Sequence, residues 1–217
     1  MSQSQFILNP LNKSKSKTIW PIPLLTDNKD FPEIFETKRL VVKSDLDYLK
    51  FNSGSRGLYR TIYDQNLNAV LAKKVQAGEL LPLDRLSILS DIADAAKAGK
   101  ISIVEAIKLL TAFKNEDDSA VWDIIAGTLG SLRHVMNDDQ VREDIKPLVR
   151  GIVAKQVKRL GWKIPAKEPH FNGLLRPTVL GMAASADDPE TVKTVFSMFE
   201  SITEKNNPID PDLRSLV

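Results

Sequence analysis

The sequence predicts an α+β fold that is mostly α: a small antiparallel β-sandwich over residues 1–63, followed by an α-helical superhelix over residues 64–217. Three observations carry this. Residues 1–51 are cut by prolines and polar turns into short apolar runs, the mark of short strands. The run Leu58-Tyr-Arg-Thr-Ile-Tyr63 alternates with period two, Leu58, Arg60 and Ile62 on one side and Tyr59, Thr61 and Tyr63 on the other. From Asp64 to the end the apolar period is 3.6.

In order, Phe6-Ile-Leu is a short apolar run ending at Asn9-Pro10, and Lys13-Ser-Lys-Ser-Lys17 reads as a solvated loop. Thr18-Ile-Trp-Pro-Ile-Pro-Leu-Leu25 has prolines at 21 and 23, which remove two amide donors from the same edge. As a strand it must lie at an edge. Asp27-Asn-Lys-Asp30 is a turn, and Ile34-Phe-Glu-Thr-Lys-Arg-Leu-Val-Val42 and Tyr48-Leu-Lys-Phe51 supply further strand material. Asn52-Ser-Gly-Ser-Arg-Gly57 is a glycine turn into the last strand. Some fifty residues hold little core, so this part is expected to pack against helices.

The first helix carries Leu67, Val70, Leu71 and Val75 and stops at Gly78. The next opens at Pro82, shows a stripe of Leu86, Leu89, Ile92, Ala93 and Ala96, and ends before Gly99. Ser102-Ile-Val-Glu105 is a capping box for a third. Asn115-Glu-Asp-Asp-Ser119 breaks the pattern and caps a helix carrying Val121, Trp122, Ile125 and Leu129. Asp138-Asp139 caps the next, where Pro147 predicts a kink or two abutting helices before Gly161. A helix from about Phe171 holds Pro177, placed near its first turn. Asp187-Asp-Pro-Glu190 starts another, with Val192, Val195, Phe196, Phe199 and Ile202. Asp210-Pro211 opens a last helix that reaches only its second turn, so the sequence is expected to be part of a longer protein. These helix pairs match no repeat consensus; they resemble an irregular solenoid of HEAT or armadillo type, with a closed bundle as the alternative.

With 30 Lys+Arg against 28 Asp+Glu, the charge balance gives no electrostatic case for nucleic acid or an anionic membrane as partner. Cysteine is absent, so neither disulfides nor thiolate chemistry enter, and a reducing, cytoplasmic location is expected. Met1-Ser-Gln-Ser-Gln-Phe lacks a basic region followed by an apolar run, so no signal peptide is expected, and no run approaches the roughly 20 residues of a membrane span.

Chemistry-bearing motifs are scarce. The two histidines, His134 near a helix end and His170 in a proline-flanked loop, lack the His-Glu-x-x-His spacing of a helical zinc site. Gly54-Ser-Arg-Gly57 precedes a strand and fails as a phosphate cradle. No Gly-x-Ser-x-Gly elbow is present. The acidic pairs at helix starts suit capping, with no EF-hand spacing after them.

An ordered set of segments does carry a resemblance. Trp20-Pro-Ile-Pro-Leu24 comes first, then Gly57-Leu-Tyr-Arg-Thr-Ile-Tyr-Asp64 and Asp84-Arg-Leu-Ser-Ile-Leu-Ser-Asp91. Lys114-Asn-Glu-Asp117 with Val121-Trp122, Leu174-Leu-Arg-Pro-Thr-Val-Leu180 and Ser197-Met-Phe199 follow. The set covers nearly the whole chain and resembles the C-terminal half of the gluzincin zinc aminopeptidases, the family of aminopeptidase N and puromycin-sensitive aminopeptidase. One departure is Tyr48-Leu-Lys, where many members have a Trp at the strand's centre.

The resemblance implies that a saddle domain and a thermolysin-like catalytic domain precede a β-sandwich and a HEAT-like helical domain in the parent. It carries no catalytic and no metal residue onto this chain, because the family's zinc and peptide-N-terminus motifs are absent; zinc belongs to the parent's catalytic domain. The implied role is to help enclose a peptide chamber, with peptide substrates and the catalytic domain of the same polypeptide as partners. Arg133 and His134 match a position facing that chamber and are the candidate peptide contacts; a solvated helix end is the competing reading. Gly57, Tyr59, Arg60 and Tyr63 are read as a structural domain junction. A stand-alone α-solenoid adaptor for protein–protein interaction is the alternative function.

Overall fold

Leu24, Phe35 and Phe51 bury themselves together, with Ile22, Phe31, Leu40, Leu49, Tyr59 and Tyr63 packed partly buried around them. This cluster holds the N-terminal segments of the computed structural model, which describes residues 1–9, 11, 16–26, 28–43, 48–135, 139–205 and 208–217, the side chains of 132–135 and 204–205 excepted. Among the described residues the sheet is two-stranded and antiparallel. β1 (Ile22–Pro23) pairs with β2 (Ile34–Phe35), Ile22 opposite Phe35 and Pro23 opposite Ile34. An isolated bridge joins Ser2 to Arg39.

One side chain does much of what a longer ladder would do. Gln3 is 5% exposed. Its Nε2 donates to the carbonyls of Trp20 (3.0 Å), Phe35 (3.3 Å) and Thr37 (3.1 Å), and its Oε1 accepts the Trp20 amide at 2.8 Å. Pro21 and Pro23 have no amide to give, so the carboxamide joins segments that the prolines cannot.

Residues 58–63, expected to form the last strand, pair with no strand among the described residues. Their burial still alternates: Leu58, Arg60 and Ile62 are exposed, and Tyr59, Thr61 and Tyr63 are half-buried. The period was legible, but the backbone partners are side chains, described below.

The helices follow their local signals closely. α1 (Gln65–Ala77) is capped by Asp64, whose side chain accepts the Leu67 amide at 2.9 Å, and ends at Gly78 in the left-handed conformation, φ 72°. α2 (Pro82–Lys97) starts on its proline, and Ser102 caps α3 (Ile103–Leu110) by accepting the Glu105 amide. A 3₁₀ stretch, Thr111–Asn115, follows. α4 (Ser119–Val135) is capped by Asp118, which accepts the Ala120 and Val121 amides.

One proline expectation is narrowed and another corrected. α5 (Asp139–Leu160) is one helix through Pro147, not two abutting ones. Pro147 and Glu143, the residue whose carbonyl loses its donor, are both exposed, so the helix does not have to bury an unpaired group there. In α6 (His170–Ser185) Pro177 lies beyond the first turn, and His170 is the first helical residue, not a loop residue. Burial of Leu175, Val179, Leu180 and Ala183 on either side of it outweighs the lost hydrogen bond. α7 (Pro189–Lys205) begins on Asp188, which accepts the Thr191 amide and hydroxyl. The last element is a 3₁₀ helix, Pro211–Leu216, rather than α, and it packs on α6 through the buried Leu213.

The described residues fall into two compact units, Met1–Ala112 and Phe113–Val217. The change of period at 63/64 lies inside the first, where α2 packs on α3 and on a 3₁₀ turn at Ser53–Ser55, and α1 packs on α3. In the second, α6 is central, touching α4, α5, α7 and the last 3₁₀ helix. Trp122 is fully buried there, and its indole and the Gln156 carboxamide both donate to the Glu116 carbonyl. No described helix is long and apolar enough to cross a membrane.

Candidate functional site

The richest polar constellation among the described residues is a seam in the first unit between α2 and the chain segment 50–63. Asp84, Asp91 and Asp94 stand seven and ten residues apart on α2, which at 100° per residue puts them within about 80° of one face. Each accepts from that segment. Asp84 takes the Gly54 amide at 2.8 Å and lies 3.4 Å from the Lys50 ammonium. Asp91 takes the Thr61 amide at 2.9 Å and the Thr61 hydroxyl at 3.0 Å. Asp94 takes the Arg60 guanidinium through Nε and Nη2. Arg85 of the same motif donates to the Leu80 carbonyl at the helix start.

Burial sets the electrostatics. Lys50 is 4% exposed, and desolvation pulls its pKa down, with Asp84 opposing. Its ammonium also donates to the carbonyls of Phe51 (2.7 Å) and Asn52 (3.4 Å), which use up its three protons. Desolvation likewise pushes the Asp91 carboxyl up, against the two Thr61 hydrogen bonds and the nearby Arg60 and Lys50.

The four residues predicted at the junction are brought together here. Gly57 sits where an added Cβ would lie 2.5 Å from the Tyr59 ring, so only glycine fits. Its amide and carbonyl are held by the Asn52 carboxamide, at 2.6 and 2.9 Å, and Asn52 adopts φ 56°, which asparagine tolerates. The Tyr59 hydroxyl donates to the Leu24 carbonyl at 2.6 Å, tying the Trp20–Leu24 motif to this one. The Tyr63 hydroxyl accepts the Phe51 amide at 2.9 Å. Burial raises both phenols, Tyr59 to about 12, so neither supplies a phenolate near neutral pH. Arg60, besides Asp94, lies 5.0 Å from the Phe6 ring centroid.

Arg60→Ala is expected to cost about 1 kcal/mol, the sum of a half-exposed ion pair and a cation–π contact. A denaturant midpoint equal to that of the parent chain would count against this placement.

Sequence reasoning singled out the tyrosines and Arg60 but missed Asn52 and Asp94, which bond Tyr59 and Arg60, and the neighbouring Lys50–Asp84 pair and Thr61–Asp91 bonds of the same seam. The i, i+7 spacing of Asp84 and Asp91 was the available signal. It also missed Arg176 in the second unit. This guanidinium, 1% exposed, pairs with Glu168 through both Nη atoms and donates to the carbonyls of Leu160, Gly161 and Lys163 at the end of α5. The hydrogen bonds from Arg176 hold the Glu168 carboxyl below the usual carboxylate range.

Arg133 and His134 lie on α4, but their side chains are outside the described residues. His170 is exposed at the start of α6 beside Phe171, their rings tilted by 57° with centroids 5.9 Å apart. Among the described residues no group of three or more His, Cys, Asp or Glu is placed to hold a metal ion.

The family of the ERAP1-like C-terminal domain matches residues 48–217, from the start of the seam to the end of the chain. The chain belongs to this family. Curated relatives agree: Aminopeptidase 2 of Candida albicans is 26% identical over 229 residues and Aminopeptidase N of Lactobacillus helveticus 26% over 225, each match covering all of this chain. The puromycin-sensitive aminopeptidase of Caenorhabditis elegans is 26% identical over 171 residues, 77% of this chain. The chain spans 24%, 26% and 18% of those relatives, respectively. The ERAP1-like C-terminal domain begins at Tyr48, so the whole seam and its aspartates fall within it. The chain thus represents the C-terminal portion of an aminopeptidase of this kind, as the ordered motifs implied.

Proposed function

We propose that this chain is the non-catalytic C-terminal part of a zinc aminopeptidase that removes N-terminal residues from peptides in the cytoplasm. In this reading the segments of residues 1–63 belong to the small β-sandwich of the parent, and the helices of 64–217 belong to a HEAT-like superhelix. Their role is to help enclose the peptide chamber and support substrate access, with Arg133 and His134 as peptide contacts. One observation carries the reading: within a family of aminopeptidase C-terminal domains, the signature residues are spent on structure. Asp84, Asp91 and Asp94 each accept from the segment 50–63, and Arg176 closes a helix end. Acidic side chains engaged in this way serve the fold, which is the role the proposal gives them.

The test is hydrolysis of leucyl- and alanyl-anilides by the purified chain, with and without added zinc. The expected result is no anilide release in either condition. Zinc-dependent turnover by the chain alone overturns the proposal.

A further inference from the structure

Asn172-Gly173 is the only Asn-Gly step in the chain; the other asparagines precede other residue types. Both residues are half-buried in the first turn of α6. Neither packing nor backbone conformation calls for the glycine. Its φ is not positive, and a Cβ there would meet only the Asp212 carboxylate, at an ordinary contact distance of 3.5 Å. Glycine weakens a helix relative to alanine, and this helix start is already poorly secured: it has no capping side chain and no acid in its first turn.

The surroundings favour attack of the Gly173 nitrogen on the Asn172 side chain. Asn172 Oδ1 accepts from Arg159 Nη1 at 3.0 Å, so a guanidinium stands where negative charge would build on that oxygen. Arg159 is itself held: its Nε donates to the buried Gln156, which donates on to the Glu116 carbonyl. Among the described residues no acceptor holds Asn172 Nδ2, the leaving group. In α1, α4 and α7 the residue before the helix accepts the amide four positions on, from Asn68, Trp122 and Val192. At α6 the Pro169 carbonyl takes the Asn172 amide, at 2.9 Å, and not that of Gly173. Without a Cβ, Gly173 can also turn its nitrogen toward the neighbouring side chain.

We propose that Asn172-Gly173 is a site of spontaneous deamidation, which converts Asn172 to an aspartate paired with Arg159. The Gly173 nitrogen bonds to the side-chain carbonyl carbon of Asn172. The bond from that carbon to Nδ2 breaks, and Nδ2 leaves as ammonia with the proton from the Gly173 amide. Water then opens the cyclic imide. Attack at the side-chain carbonyl restores the backbone and leaves a carboxylate; attack at the backbone carbonyl gives isoaspartate, with the chain running through the side chain. The aspartate supplies what α6 lacks: a charge-assisted bond to Arg159 and an acid at the positive end of the helix. It also lowers the formal net charge of +2 by one unit. Isoaspartate lengthens the backbone of the first turn and puts it out of step with the helix. The reaction is intramolecular and needs only water, so the inference stands independently of the proposed function.

The test is peptide mapping by mass spectrometry of the full 217-residue chain, incubated in heavy-oxygen water at mildly alkaline pH. The expected result is heavy oxygen at residue 172, in aspartyl and isoaspartyl forms. Asn52, buried with its carboxamide bonded at both ends to Gly57, stays intact. Gly173→Ala is expected to abolish the uptake without lowering the thermal midpoint, since the added methyl meets open contact. Arg159→Gln is expected to slow it about tenfold, as loss of a partly solvated oxyanion donor. Asn172→Asp makes the product directly and is expected to raise the thermal midpoint by about 2 °C, with a smaller rise in the Arg159→Gln background. An Asn172 that stays intact while a free peptide of residues 168–176 converts would overturn the inference. So would uptake undiminished in Gly173→Ala or in Arg159→Gln, or a midpoint that Asn172→Asp does not raise.

Discussion

Asp84→Ala is expected to destabilise the first unit by about 3–5 kcal/mol, the range for removing one partner of a buried pair. The reason is what stays behind. Lys50 remains with a side chain only 3% exposed, held between the Phe51 and Asn52 carbonyls without its ion-pair partner and with only the more weakly coupled Asp91 as a nearby anion. The Gly54 amide loses its acceptor at a residue already in the left-handed conformation, φ 71°. Adding Lys50→Met removes the stranded charge, so the double variant should be more stable than Asp84→Ala alone. The loss should also depend on pH. A lysine whose folded pKa lies below its unfolded value contributes stability that is present above the unfolded pKa and lost as pH falls through the folded one. Lys50 is shifted down by burial, and loses its main opposing charge in the variant. Asp84→Ala should therefore be weakest near neutral pH and recover as pH is raised toward the ordinary lysine value of 10.5. Denaturant melts of the single and double variants at two pH values check this. Strictly additive losses with no pH dependence would mean that Lys50 and Asp84 do not act as a pair.

The same seam marks what a sequence makes legible. Helix ends were readable because their causes are local: Asp64, Ser102 and Asp188 cap within three residues, and Gly78, Gly99 and Gly161 stop helices with positive φ. The alternation of residues 58–63 was readable too, and their burial obeys it. Their pairing was not, because the acceptor for the Thr61 amide is a side chain thirty residues away. A period says which residues face inward; it says nothing about whether a strand or an aspartate meets the backbone. Pro177, placed near a first turn, misled for the complementary reason, and Pro147 did not split its helix in two. Propensity charges the helix for one missing hydrogen bond, whereas the burial of Val149, Ile152 and Val153 in α5, or Val179 and Leu180 in α6, is collected over the whole helix. The candidate site followed the same division. The spacing of Asp84 and Asp91 on one helix face was there to be read but was not used, while Gly57 revealed its need for a missing Cβ only once the Tyr59 ring was placed against it.

Arg176 is where that limit has the largest consequence in the second unit. Nothing in Leu174-Leu-Arg-Pro-Thr-Val-Leu180 hints that its arginine is among the most buried side chains, because its acceptors lie 8 to 16 residues upstream. The planar guanidinium meets Glu168 with two nitrogens while its remaining protons reach the carbonyls of Leu160, Gly161 and Lys163. An uncapped helix end buried without partners is costly, and here one side chain supplies them. Arg176→Ala is expected to lower the thermal midpoint of the second unit by about 10 °C or more. Arg176→Lys should rescue less than half of that, since an ammonium cannot match the fork geometry. The acid limb provides a further check. Glu168 has a folded pKa held below its ordinary value by Arg176, so its contribution is present above the unfolded pKa and lost as pH falls through the folded one. The gap between wild type and Arg176→Ala should thus be full near neutral pH and narrow as pH drops below the ordinary carboxylate value of 4.5. Amide exchange read along α5 locates the damage: protection should fall first in the last turn, around Lys158–Leu160. A variant that melts at the wild-type temperature, or that loses protection at the other end of α5 instead, would show that the helix end is held by something other than this arginine.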